Sequence, residues 1–596
     1  MHSPDRLLDV RQLNVYFRGS QGRFHAVKNL DLTVSRGETL ALVGESGCGK
    51  STTALAVMQL LAPGAILQGR MDFGGTDLVA LSQHKMRRLR GREISMIFQE
   101  PMTSLNPVHT IGAQIAEVLR LHDGLSRQAA RQRTIELLDL VSIPEPQRRI
   151  DDYPHNLSGG QRQRVMIAMA VACQPRLLIA DEPTTALDVT IQAQVLELLD
   201  RLRRDLSMGM LLITHDLGVV AQWADRVAVM YDGEKVEEGK TAELFRAPAH
   251  PYTRGLMGAS LHGGNTGHYS VSRLPEIRVA QDGATNERTF ELYTPPVSTN
   301  VENGVARYAA AQLATSPHAA AGERSVGQIA PVLLGVQHLV CEYPTRAGLT
   351  RAVDDVSFDI RAGESVGLVG ESGSGKSTLC KAIMRLIPAA SGRIVFDGTD
   401  VVPLGEKALK PWRRRIQMVF QDPYASLNPR RTVFDILDAV LRVHEVKPAA
   451  ERAKRIAAIL DRVGLPANAG KRYPNEFSGG QRQRIVIARA LILKPELLVC
   501  DEPVSALDVS VQAQILNLLV ELKQDLGLSY LFISHDLAVV RYIADNVLVM
   551  NQGKIVESGG YRDIWQSARH PYTRSLIASI PGQRQVEDMV AAGAPM

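Results

Sequence analysis

Cysteine is scarce in this chain. The 596 residues hold five cysteines without a CxxC pair, and they are scattered along the sequence: Cys48, Cys173, Cys341, Cys380 and Cys500. This spacing argues against a disulfide framework and against a structural metal site built from thiolates. It is typical of a protein that works in a reducing cytosol.

Long apolar runs are also missing. No stretch approaches the roughly 18 to 20 apolar residues that cross a bilayer as a helix, and the first ten residues, MHSPDRLLDV, lack the apolar core of a secretion signal. We therefore expect neither a transmembrane segment nor a signal peptide. Charge is nearly balanced, with 68 Lys and Arg against 63 Asp and Glu, which gives little support to a nucleic-acid or acidic-lipid surface.

What the chain does contain is an internal repeat. LALVGESGCGKSTTAL at 40–55 returns as VGLVGESGSGKSTLCK at 366–381, and LLIADEPTTALDVTIQAQ at 177–194 returns as LLVCDEPVSALDVSVQAQ at 497–514. From LSGGQRQR at 157–164 onward, the two halves match at a constant spacing of 320 residues. The chain is therefore a tandem duplication.

Each half predicts an α/β fold. Strand-like apolar runs alternate with amphipathic stretches such as IQAQVLELLDRLRRDL, a pattern that predicts a largely parallel sheet with helices on both faces. Good strands are missing from about 105–165 and from the equivalent stretch at about 427–485, so we expect a helical subdomain in each half.

The predicted domains are 1–262 and 331–596, joined by a linker at 263–330. The linker is dominated by Gly, Ala, Ser, Thr, Asn and Pro with little amphipathic period, which predicts a mostly flexible tether. Within it, RLPEIRVAQ at 273–281 is a candidate for an extended docking segment.

A phosphate-binding loop follows the first apolar strand of the repeat. GESGCGKS at 44–51 fits GxxxxGK[ST] between a strand and a helix-like stretch, the context in which such a loop binds phosphate through backbone N–H groups. A plain glycine-rich turn is the alternative, and the complete second copy argues against it. The predicted ATP-binding residues of the two loops are Gly44, Ser46, Gly47, Cys48, Gly49, Lys50, Ser51, Thr52, Gly370, Ser372, Gly373, Ser374, Gly375, Lys376, Ser377 and Thr378.

Two adjacent carboxylates end a later apolar strand in each half. Asp181 and Glu182 follow RLLIA, and Asp501 and Glu502 follow ELLVC. Beside a phosphate loop, one acid can organise Mg²⁺ and the second can orient or deprotonate water. Either acid taken singly could instead cap a helix.

A glutamine and a histidine complete the candidate set. Gln99 and Gln421 each follow a strand that ends in Phe, and their amides could reach the metal or the attacking water. His215 and His535, in ITHD and ISHD, are placed to contact a γ-phosphate. Taken alone, such a Gln is more often a surface loop residue and such a His is more often structural.

In this order, with SGGQ and ALD between them, the motifs resemble those of the ATP-binding-cassette ATPases over about 10–260 and 333–580. GESGxGKST, FQ[ED]PxxSLNP and a terminal HPYT are similar to the peptide and nickel importer subgroup, in particular to fused ATPases of oligopeptide, dipeptide, glutathione and microcin-type uptake. The resemblance implies two tandem P-loop (RecA-like) nucleotide-binding domains of α/β class. Each is expected to carry a helical signature subdomain and an N-terminal antiparallel β portion.

The resemblance further implies two ATP sites shared head to tail between the halves. One would combine Lys50, Ser51, Gln99, Asp181, Glu182 and His215 with Ser478, Gly479 and Gly480, and its twin Lys376, Ser377, Gln421, Asp501, Glu502 and His535 with Ser158, Gly159 and Gly160. The amides of the SGGQ motif, which is the signature motif of this family, would lie at the start of a helix that we expect near Gln161. Such a helix start is a typical anion site. Because both halves are complete, we predict two hydrolysis-competent sites.

Individual roles follow from the same resemblance. The implied catalytic residues are Glu182, His215, Glu502 and His535, and the implied Mg²⁺ ligands are Ser51, Gln99, Asp181, Ser377, Gln421 and Asp501. Phe17 and Tyr343 are the candidates for adenine stacking, with Tyr16 as an alternative, although each could be an ordinary half-buried strand aromatic. Some dipeptide-type relatives hold an iron–sulfur centre after HPYT, but no cysteine follows Cys500 here, so we expect no cluster.

The leading functional hypothesis is the ATPase subunit of a bacterial inner-membrane importer for peptides or a peptide-like solute. Its partners would be two permease subunits and a periplasmic or lipid-anchored solute-binding protein, and its place the cytoplasmic face of the membrane. The permease contact would involve about 100–107 and 422–429. A nickel or opine-like solute is an alternative, and a soluble tandem cassette acting on ribosomes or DNA is a remote one, because the linker lacks heptads and cysteine pairs. A small-molecule kinase would not need the duplicated signature.

Overall fold

The computed structural model describes residues 6–19, 22–99, 104–185, 187–261, 267–281, 288–297, 330–345, 348–505 and 507–581. The chain divides into two compact units. Unit 1 contains residues 1–265, 277–292 and 581–596, and unit 2 contains residues 266–276 and 293–580. Within the described ranges, none of the helices is both long enough and apolar enough to span a membrane.

Unit 1 alternates strands and helices along the chain. Its strands are β1 (Arg6–Gly19), β2 (Gly22–Ser35), β3 (Thr39–Val43), β4 (Ile66–Phe73), β5 (Thr76–Asp77), β6 (Ile94–Ile97), β7 (Leu177–Asp181), β8 (Gly209–Ile213), β9 (Arg226–Tyr231) and β10 (Glu234–Lys240). Its helices are α1 (Lys50–Val57), α2 (Gln83–Leu89), α3 (Ile111–His122), α4 (Arg127–Leu140), α5 (Pro146–Arg149), α6 (Gly159–Val171), α7 (Val189–Leu206), α8 (Leu217–Trp223), α9 (Thr241–Arg246) and α10 (Pro251–Ala259), with a 3-10 turn at Pro154–Asn156.

Two sheets form the body of unit 1. The six-stranded sheet has the order β10-β9-β3-β8-β7-β6, in which only the edge strand β10 is antiparallel. The central strands TLALV, LLIAD and GMLLI are buried at every residue, as expected for parallel strands covered on both faces. The second sheet, β2-β1-β4-β5, is antiparallel. Both sheets contribute to one apolar core.

Unit 2 repeats this arrangement. Its strands are β13 (Val332–Thr345), β14 (Gly348–Arg361), β15 (Ser365–Val369), β16 (Ser391–Phe396), β17 (Thr399–Asp400), β18 (Ile416–Val419), β19 (Leu497–Asp501), β20 (Ser529–Ile533), β21 (Asn546–Asn551) and β22 (Lys554–Gly560). Its helices are α11 (Lys376–Ile383), α12 (Glu406–Arg415), α13 (Pro423–Ser426), α14 (Val433–Val443), α15 (Ala449–Arg462), α16 (Gly479–Leu491), α17 (Val509–Leu526), α18 (Leu537–Ile543), α19 (Tyr561–Ser567) and α20 (Pro571–Ala578), with 3-10 turns at Ala467–Lys471 and Pro474–Glu476. The sheets are β18-β19-β20-β15-β21-β22 and β14-β13-β16-β17.

A helical subdomain follows β6 in unit 1 and β18 in unit 2. In unit 1 its helices α3, α4 and α6 pack in a second apolar core, which they share with α7 and with strands β6, β7 and β8. Helix starts are set by hydroxyl caps, since Thr110 Oγ1 accepts the Ala113 N–H at 3.2 Å and Ser126 Oγ accepts the Ala129 N–H at 3.2 Å. The antiparallel sheets and helical subdomains predicted from the sequence are both present.

Part of the predicted linker is built into unit 2. Residues 267–276 contain four side chains that are at most 7% exposed: His268, Tyr269, Arg273 and Leu274. The Tyr269 N–H donates to the Tyr542 carbonyl at 2.9 Å, and the His268 ring stacks on Tyr561 at 4.2 Å. We call residues 267–276 the strap.

Two polar side chains of α17 hold the strap. Asn517 is 1% exposed, accepts the Leu274 N–H at 3.2 Å and donates to the Leu274 carbonyl at 2.8 Å. Lys523 donates to the Tyr269 hydroxyl and to Asp545 Oδ2, both at 2.7 Å. Burial lowers the pKa of Lys523, and the nearby Asp545 carboxylate opposes that shift. Without the strap, Asn517 would lose its partners at Leu274 and Lys523 would lose the Tyr269 hydroxyl, and lost partners of polar groups cost stability.

The next part of the linker belongs to unit 1. β11 (Glu276–Gln281) and β12 (Arg288–Tyr293) pair as a two-stranded sheet. Phe290 packs edge-on against Tyr231 at 5.0 Å, and Arg288 forms an ion pair with Asp232.

The flexible linker predicted at 263–330 therefore needs correction at 267–281 and 288–297, which carry packed segments. Aromatic and branched side chains spaced along an otherwise small-residue stretch find buried positions on the two units, which composition alone does not reveal. The candidate docking stretch 273–281 contains the end of the strap and β11. Residues 298–329 lie outside the described part of the chain.

Asn517→Ala should destabilise unit 2. The change removes three hydrogen bonds to the strap, two to Leu274 and one to Glu276, and the acceptor of the Tyr542 hydroxyl, so we expect a loss of about 2 to 4 kcal/mol from the free energy of unfolding. The matched control is Glu197→Ala, at the equivalent position of the first half, where the side chain is exposed and a change within about 0.5 kcal/mol is expected. Calorimetric unfolding of the full chain measures both, and equal losses would contradict the role of the strap.

Candidate functional site

The phosphate loop of unit 1 joins β3 to α1. Gly44 and Gly49 have φ of 149° and 103°, which other residues rarely adopt. A Cβ on Gly44 would lie 2.2 Å from the Met230 carbonyl, and one on Gly49 would lie 2.7 Å from the Ala26 carbonyl. At Gly47 a Cβ would meet nothing within 4 Å, so the space over the loop is open. Gly49 is also the N-cap of α1 and provides no side-chain cap, which leaves the helix N-terminus suited to an anion.

The lysine of each loop is held inside the loop. Lys50 Nζ donates to the carbonyls of Gly44 at 2.8 Å and Glu45 at 2.9 Å, and the lysine is 5% exposed. Lys376 makes the same two bonds at 2.7 and 2.8 Å. The loop therefore presents a fixed positive charge together with backbone N–H groups, a combination that fits the phosphates of a nucleotide.

A hydroxyl and a carboxylate meet beside each loop. Ser51 Oγ donates to Asp181 Oδ1 at 3.0 Å, and Ser377 Oγ donates to Asp501 Oδ1 at 3.4 Å. Burial raises the pKa of Asp181 to about 6, against the opposing hydrogen bond from Ser51. Burial likewise raises the pKa of Asp501. Hard oxygen donors in a partly dehydrated position fit the ligand preference of Mg²⁺.

Glu182 follows β7 in a strained conformation, with φ of 46°. Its carboxylate accepts a hydrogen bond from Gln99 Nε2 at 2.9 Å and one from Thr185 Oγ1 at 2.8 Å, and His215 Nδ1 lies 3.4 Å away. Burial alone would raise the pKa of Glu182, but the hydrogen bond and charge of His215, with the Thr185 hydroxyl, lower it to about 2. The Glu182 carboxylate is therefore ionised, and its three contacts fix its orientation.

Glu502 has the same surroundings with one difference. Its φ is 48°, Gln421 Nε2 donates to it at 2.8 Å, and His535 Nδ1 lies 3.1 Å away. Ser505, in the place of Thr185, donates at 3.1 Å to the backbone carbonyl of Glu502. His535 and the loop lysine outweigh burial and lower the pKa of Glu502.

The structure thus brings six predicted residues of each half into one connected site. In unit 1 these are Lys50, Ser51, Gln99, Asp181, Glu182 and His215, and in unit 2 they are Lys376, Ser377, Gln421, Asp501, Glu502 and His535. Gln99 and His215 both contact the glutamate. Their expected contacts with metal and γ-phosphate stay predictions.

The signature residues start α6 and α16. Ser158 is the N-cap of α6: its hydroxyl accepts the Gln161 N–H at 3.3 Å, and Gln161 Oε1 accepts the Ser158 N–H at 3.1 Å. Ser478 and Gln481 repeat this capping box. The helices begin at Gly159 and Gly479, two residues before the start we expected near Gln161, because the cap pulls both glycines into the first turn.

The two glycines of each signature do different things. A Cβ on Gly160 would lie 2.7 Å from Ile191 Cγ2, and one on Gly480 would lie 2.3 Å from Val511 Cγ1. Gly159 and Gly479 have free space, with the nearest atoms at 3.9 and 3.8 Å. The second glycine lets the signature helix pack closely on α7 or α17, whereas the first leaves the backbone approachable.

Gly480→Ala should therefore cost stability, and Gly479→Ala should not. We expect Gly480→Ala to lose about 1 to 3 kcal/mol because the added methyl overpacks the contact with Val511. Gly479→Ala should unfold within about 0.5 kcal/mol of the unaltered chain and still lower ATP hydrolysis. Thermal unfolding and ATPase rates, measured on both variants, test the division; equal destabilisation would contradict it.

The predicted adenine-stacking residues lie on the antiparallel sheets. Phe17 is half-buried, packs against the core of unit 1 and pairs with Phe24 on β2. Tyr343 is 40% exposed. Tyr16 stacks on His25 with ring centroids 4.1 Å apart. Adenine stacking by these residues stays a prediction.

Sequence reasoning missed two contacts at the sites. The Thr185 hydroxyl donates directly to the Glu182 carboxylate. It lies in the motif DEPTTALD, of which only the acids entered the prediction. Tyr572, in the second HPYT, accepts a hydrogen bond from the phosphate loop. The repetition of HPYT was a visible signal for the second contact, but nothing in the sequence placed it near the loop.

Comparison with known families agrees with this geometry. The family described as "ABC transporter" matches residues 27–185 and 353–505, and the one described as "Oligopeptide/dipeptide transporter, C-terminal region" matches 236–279 and 556–593. The chain belongs to the ABC transporter family and carries two of its ATPase cassettes in tandem. The predicted family and fold class are confirmed, and the chain is an ATP-hydrolysing enzyme.

Full-length relatives are more specific. The chain is 49% identical to the glutathione import ATP-binding protein GsiA of Pectobacterium atrosepticum, over 97% of this chain and 90% of that protein. It is 48% identical to GsiA of Escherichia coli K12, over 96% of this chain and 89% of that protein. Among solved structures, cbiO1 of Clostridium perfringens, described as part of the ABC transporter complex cbiONQ, is 30% identical, with a TM-score of 0.36, over 40% of this chain and 91% of that one.

Proposed function

We propose that this chain is the ATPase subunit of a bacterial inner-membrane importer of glutathione or a closely similar peptide. The observation that carries the proposal is the identity of almost half of all residues, over nearly the whole chain, to glutathione import ATP-binding proteins. Both catalytic sets are complete, so both cassettes hydrolyse ATP. The nickel and opine-like alternatives have no comparable support.

The residues of each cassette have separate tasks. ATP supplies the phosphoryl group that is transferred, and Mg²⁺ supplies counter-charge. In the first cassette Lys50 and the loop amides would bind phosphate, and Ser51 and Asp181 would hold the metal, with Gln99 as the remaining proposed ligand. Glu182, ionised and oriented by His215 and Thr185, accepts the proton of the attacking water at its carboxylate.

The signature of one cassette completes the site of the other. Ser158 with Gly159 and Ser478 with Gly479 each start a helix whose N-terminus attracts an anion. The open side of the first glycine suits the approach of a phosphate. Each signature therefore binds the γ-phosphate held by the other half.

Ser478→Arg should damage the site that contains Glu182. With Glu502→Gln as background, only Glu182 remains to activate water, and Ser478→Arg places a bulky side chain in that site. We expect ATP hydrolysis to fall at least tenfold more than it does for Ser158→Arg in the same background. The reciprocal pair in a Glu182→Gln background is the control, and equal losses in both would contradict shared sites.

The segment that follows Gln99 in the first cassette and Gln421 in the second is the proposed permease contact. In the second cassette Tyr424, on α13, is 65% exposed, and Arg482 of the signature helix lies 4.0 Å above its ring. Arg489 of the same helix donates to the Ser426 carbonyl. A displacement of α13 by a permease would therefore be transmitted directly to the signature helix α16. In the first cassette, residues 100–103 of the proposed segment 100–107 lie outside the described residues.

Transport needs partners that span the membrane. The proposed assembly contains two permease subunits and a periplasmic or lipid-anchored solute-binding protein, with this chain at the cytoplasmic face. The relatives' name, glutathione import ATP-binding protein, supports this arrangement, because an ATP-binding protein without a membrane span needs membrane-spanning partners to import a solute.

Glutathione should stimulate ATP hydrolysis by the complete assembly. In vesicles that contain the chain, its permeases and the solute-binding protein, we expect reduced glutathione to raise the rate severalfold and to enter the vesicle lumen. A tripeptide without a thiol and Ni²⁺ serve as competing solutes. The control is Glu182→Gln with Glu502→Gln, which should abolish the rate while ATP still binds. Stimulation by Ni²⁺ alone would overturn the proposal.

A further inference from the structure

The HPYT motif lies near the end of each half of the chain, at 250–253 and 570–573. None of its residues has a role in the proposed steps of ATP hydrolysis. In unit 2 it begins α20, and in unit 1 it begins α10. The motif is linked to the strand hairpin beside the phosphate loop in both units. In unit 2 the side chain of Tyr572 contacts the loop itself.

A glutamate on the hairpin anchors the motif. The Glu557 carboxylate, on β22, accepts the N–H of Arg569 at 2.7 Å and the N–H of His570 at 3.2 Å. His570 Nδ1 in turn accepts the Tyr572 N–H at 3.2 Å. The start of α20 is therefore fixed relative to β22, and with it the direction in which Tyr572 leaves the helix.

The same hairpin touches the phosphate loop. Glu557 pairs with Val549 on β21, and the next residue, Met550, has its carbonyl where a Cβ on Gly370 would lie, at 2.2 Å. The ring of Tyr572 packs in the apolar cluster that includes Val369, the residue before the loop. Loop, hairpin and α20 thus form one packed body.

The Tyr572 hydroxyl completes that body. It accepts the backbone N–H of Glu371 at 3.0 Å. The carbonyl of the same residue accepts Lys376 Nζ at 2.8 Å. Glu371 is therefore held on one side by the tyrosine and on the other by the lysine that binds phosphate.

Unit 1 repeats the anchor. Glu237 on β10 accepts the N–H of Ala249 at 2.7 Å and of His250 at 3.0 Å, and His250 Nδ1 accepts the Tyr252 N–H at 3.2 Å. Tyr252 is fully buried, with its ring 4.6 Å from Tyr231. The first position of the anchor is Arg569 in one half and Ala249 in the other, which is consistent because only the backbone is used.

We propose that Tyr572 is a positioning residue of the second ATP site: its hydroxyl holds the Glu371 peptide and so sets the shape of the phosphate loop and the place of Lys376. The tyrosine does not touch the nucleotide. It affects ATP affinity because, without this hydrogen bond, the Glu371 peptide is less firmly held. Lys376 and the loop amides are then less well positioned to bind phosphate. This inference rests on the ATP site alone and is independent of the imported solute.

The test is Tyr572→Phe in the full chain. The change removes one oxygen and keeps the ring in its cluster, so we expect α20 to stay folded. In the Glu182→Gln, Glu502→Gln background, where ATP binds without turnover, titration with Mg-ATP should resolve two classes of site. We expect Tyr572→Phe to weaken one class about fivefold and to leave the other unchanged.

The kinetic counterpart separates positioning from stability. With both glutamates intact, Tyr572→Phe should raise the KM for ATP about two- to fivefold and leave kcat within about twofold. Tyr530→Phe is the matched control: it also removes a hydroxyl that bonds the backbone, here by donating to the Leu519 carbonyl at 2.7 Å, but it lies within β20 and away from the loop. Its KM should stay unchanged.

Two results would overturn the inference. One is unaltered ATP affinity at both sites in Tyr572→Phe, whether or not the melting temperature falls. The other is the same shift in KM for Tyr530→Phe as for Tyr572→Phe. Either result would leave the importer proposal unaffected. Conversely, if glutathione failed to stimulate ATP hydrolysis by the assembly that contains the unaltered chain, the importer proposal would fail, and the nucleotide titration could still be interpreted.

Discussion

A buried ammonium group sets the architecture of each half. Lys50 and Lys376 are almost fully buried, and such a charge is costly unless polar groups surround it. The loop satisfies it with its own carbonyls, which forces the backbone into conformations that only glycine adopts readily. The same charge stabilises the ionised forms of the adjacent acids, Asp181 and Glu182. Loop, helix start and carboxylates therefore form one electrostatic unit, and the parallel sheet exists to bring their strand ends together.

Duplication has kept this unit and changed what surrounds it. The Thr185 hydroxyl donates to the Glu182 carboxylate in the first site, whereas in the second the Ser505 hydroxyl donates to the Glu502 backbone carbonyl and also helps to lower the pKa of the Glu502 carboxylate. Asn517 and Lys523 of α17 hold the strap, and the equivalent positions of α7 carry Glu197 and Arg203. Arg203 turns instead to Asp200 at 2.8 Å. The two halves share the residues that face phosphate and differ in the hydroxyl beside the glutamate and in how α7 and α17 pack.

The sequence was sufficient for the fold class, the helical subdomains and the six connected residues of each site, because these depend on local motifs and on strand ends that a parallel sheet must bring together. It was not sufficient for the strap, since burial of His268 and Tyr269 depends on pockets formed by residues some 250 positions later. The helix begins at Gly159, two residues before Gln161, because the reciprocal bonds of Ser158 and Gln161 draw both glycines into its first turn. The contact of Tyr572 with Glu371 is invisible for the same reason as the strap: it joins segments about 200 residues apart.

The strap also limits how this gene could have been divided. A break in the small-residue stretch before residue 331 would leave the second polypeptide without residues 267–276, and Asn517 and Lys523 would face solvent with partners missing. A break before residue 267 would keep that polypeptide whole but take β11 and β12 from the first, uncovering Tyr231. No single cut yields two intact halves. Division of the chain into two subunits would therefore require compensating substitutions on both sides.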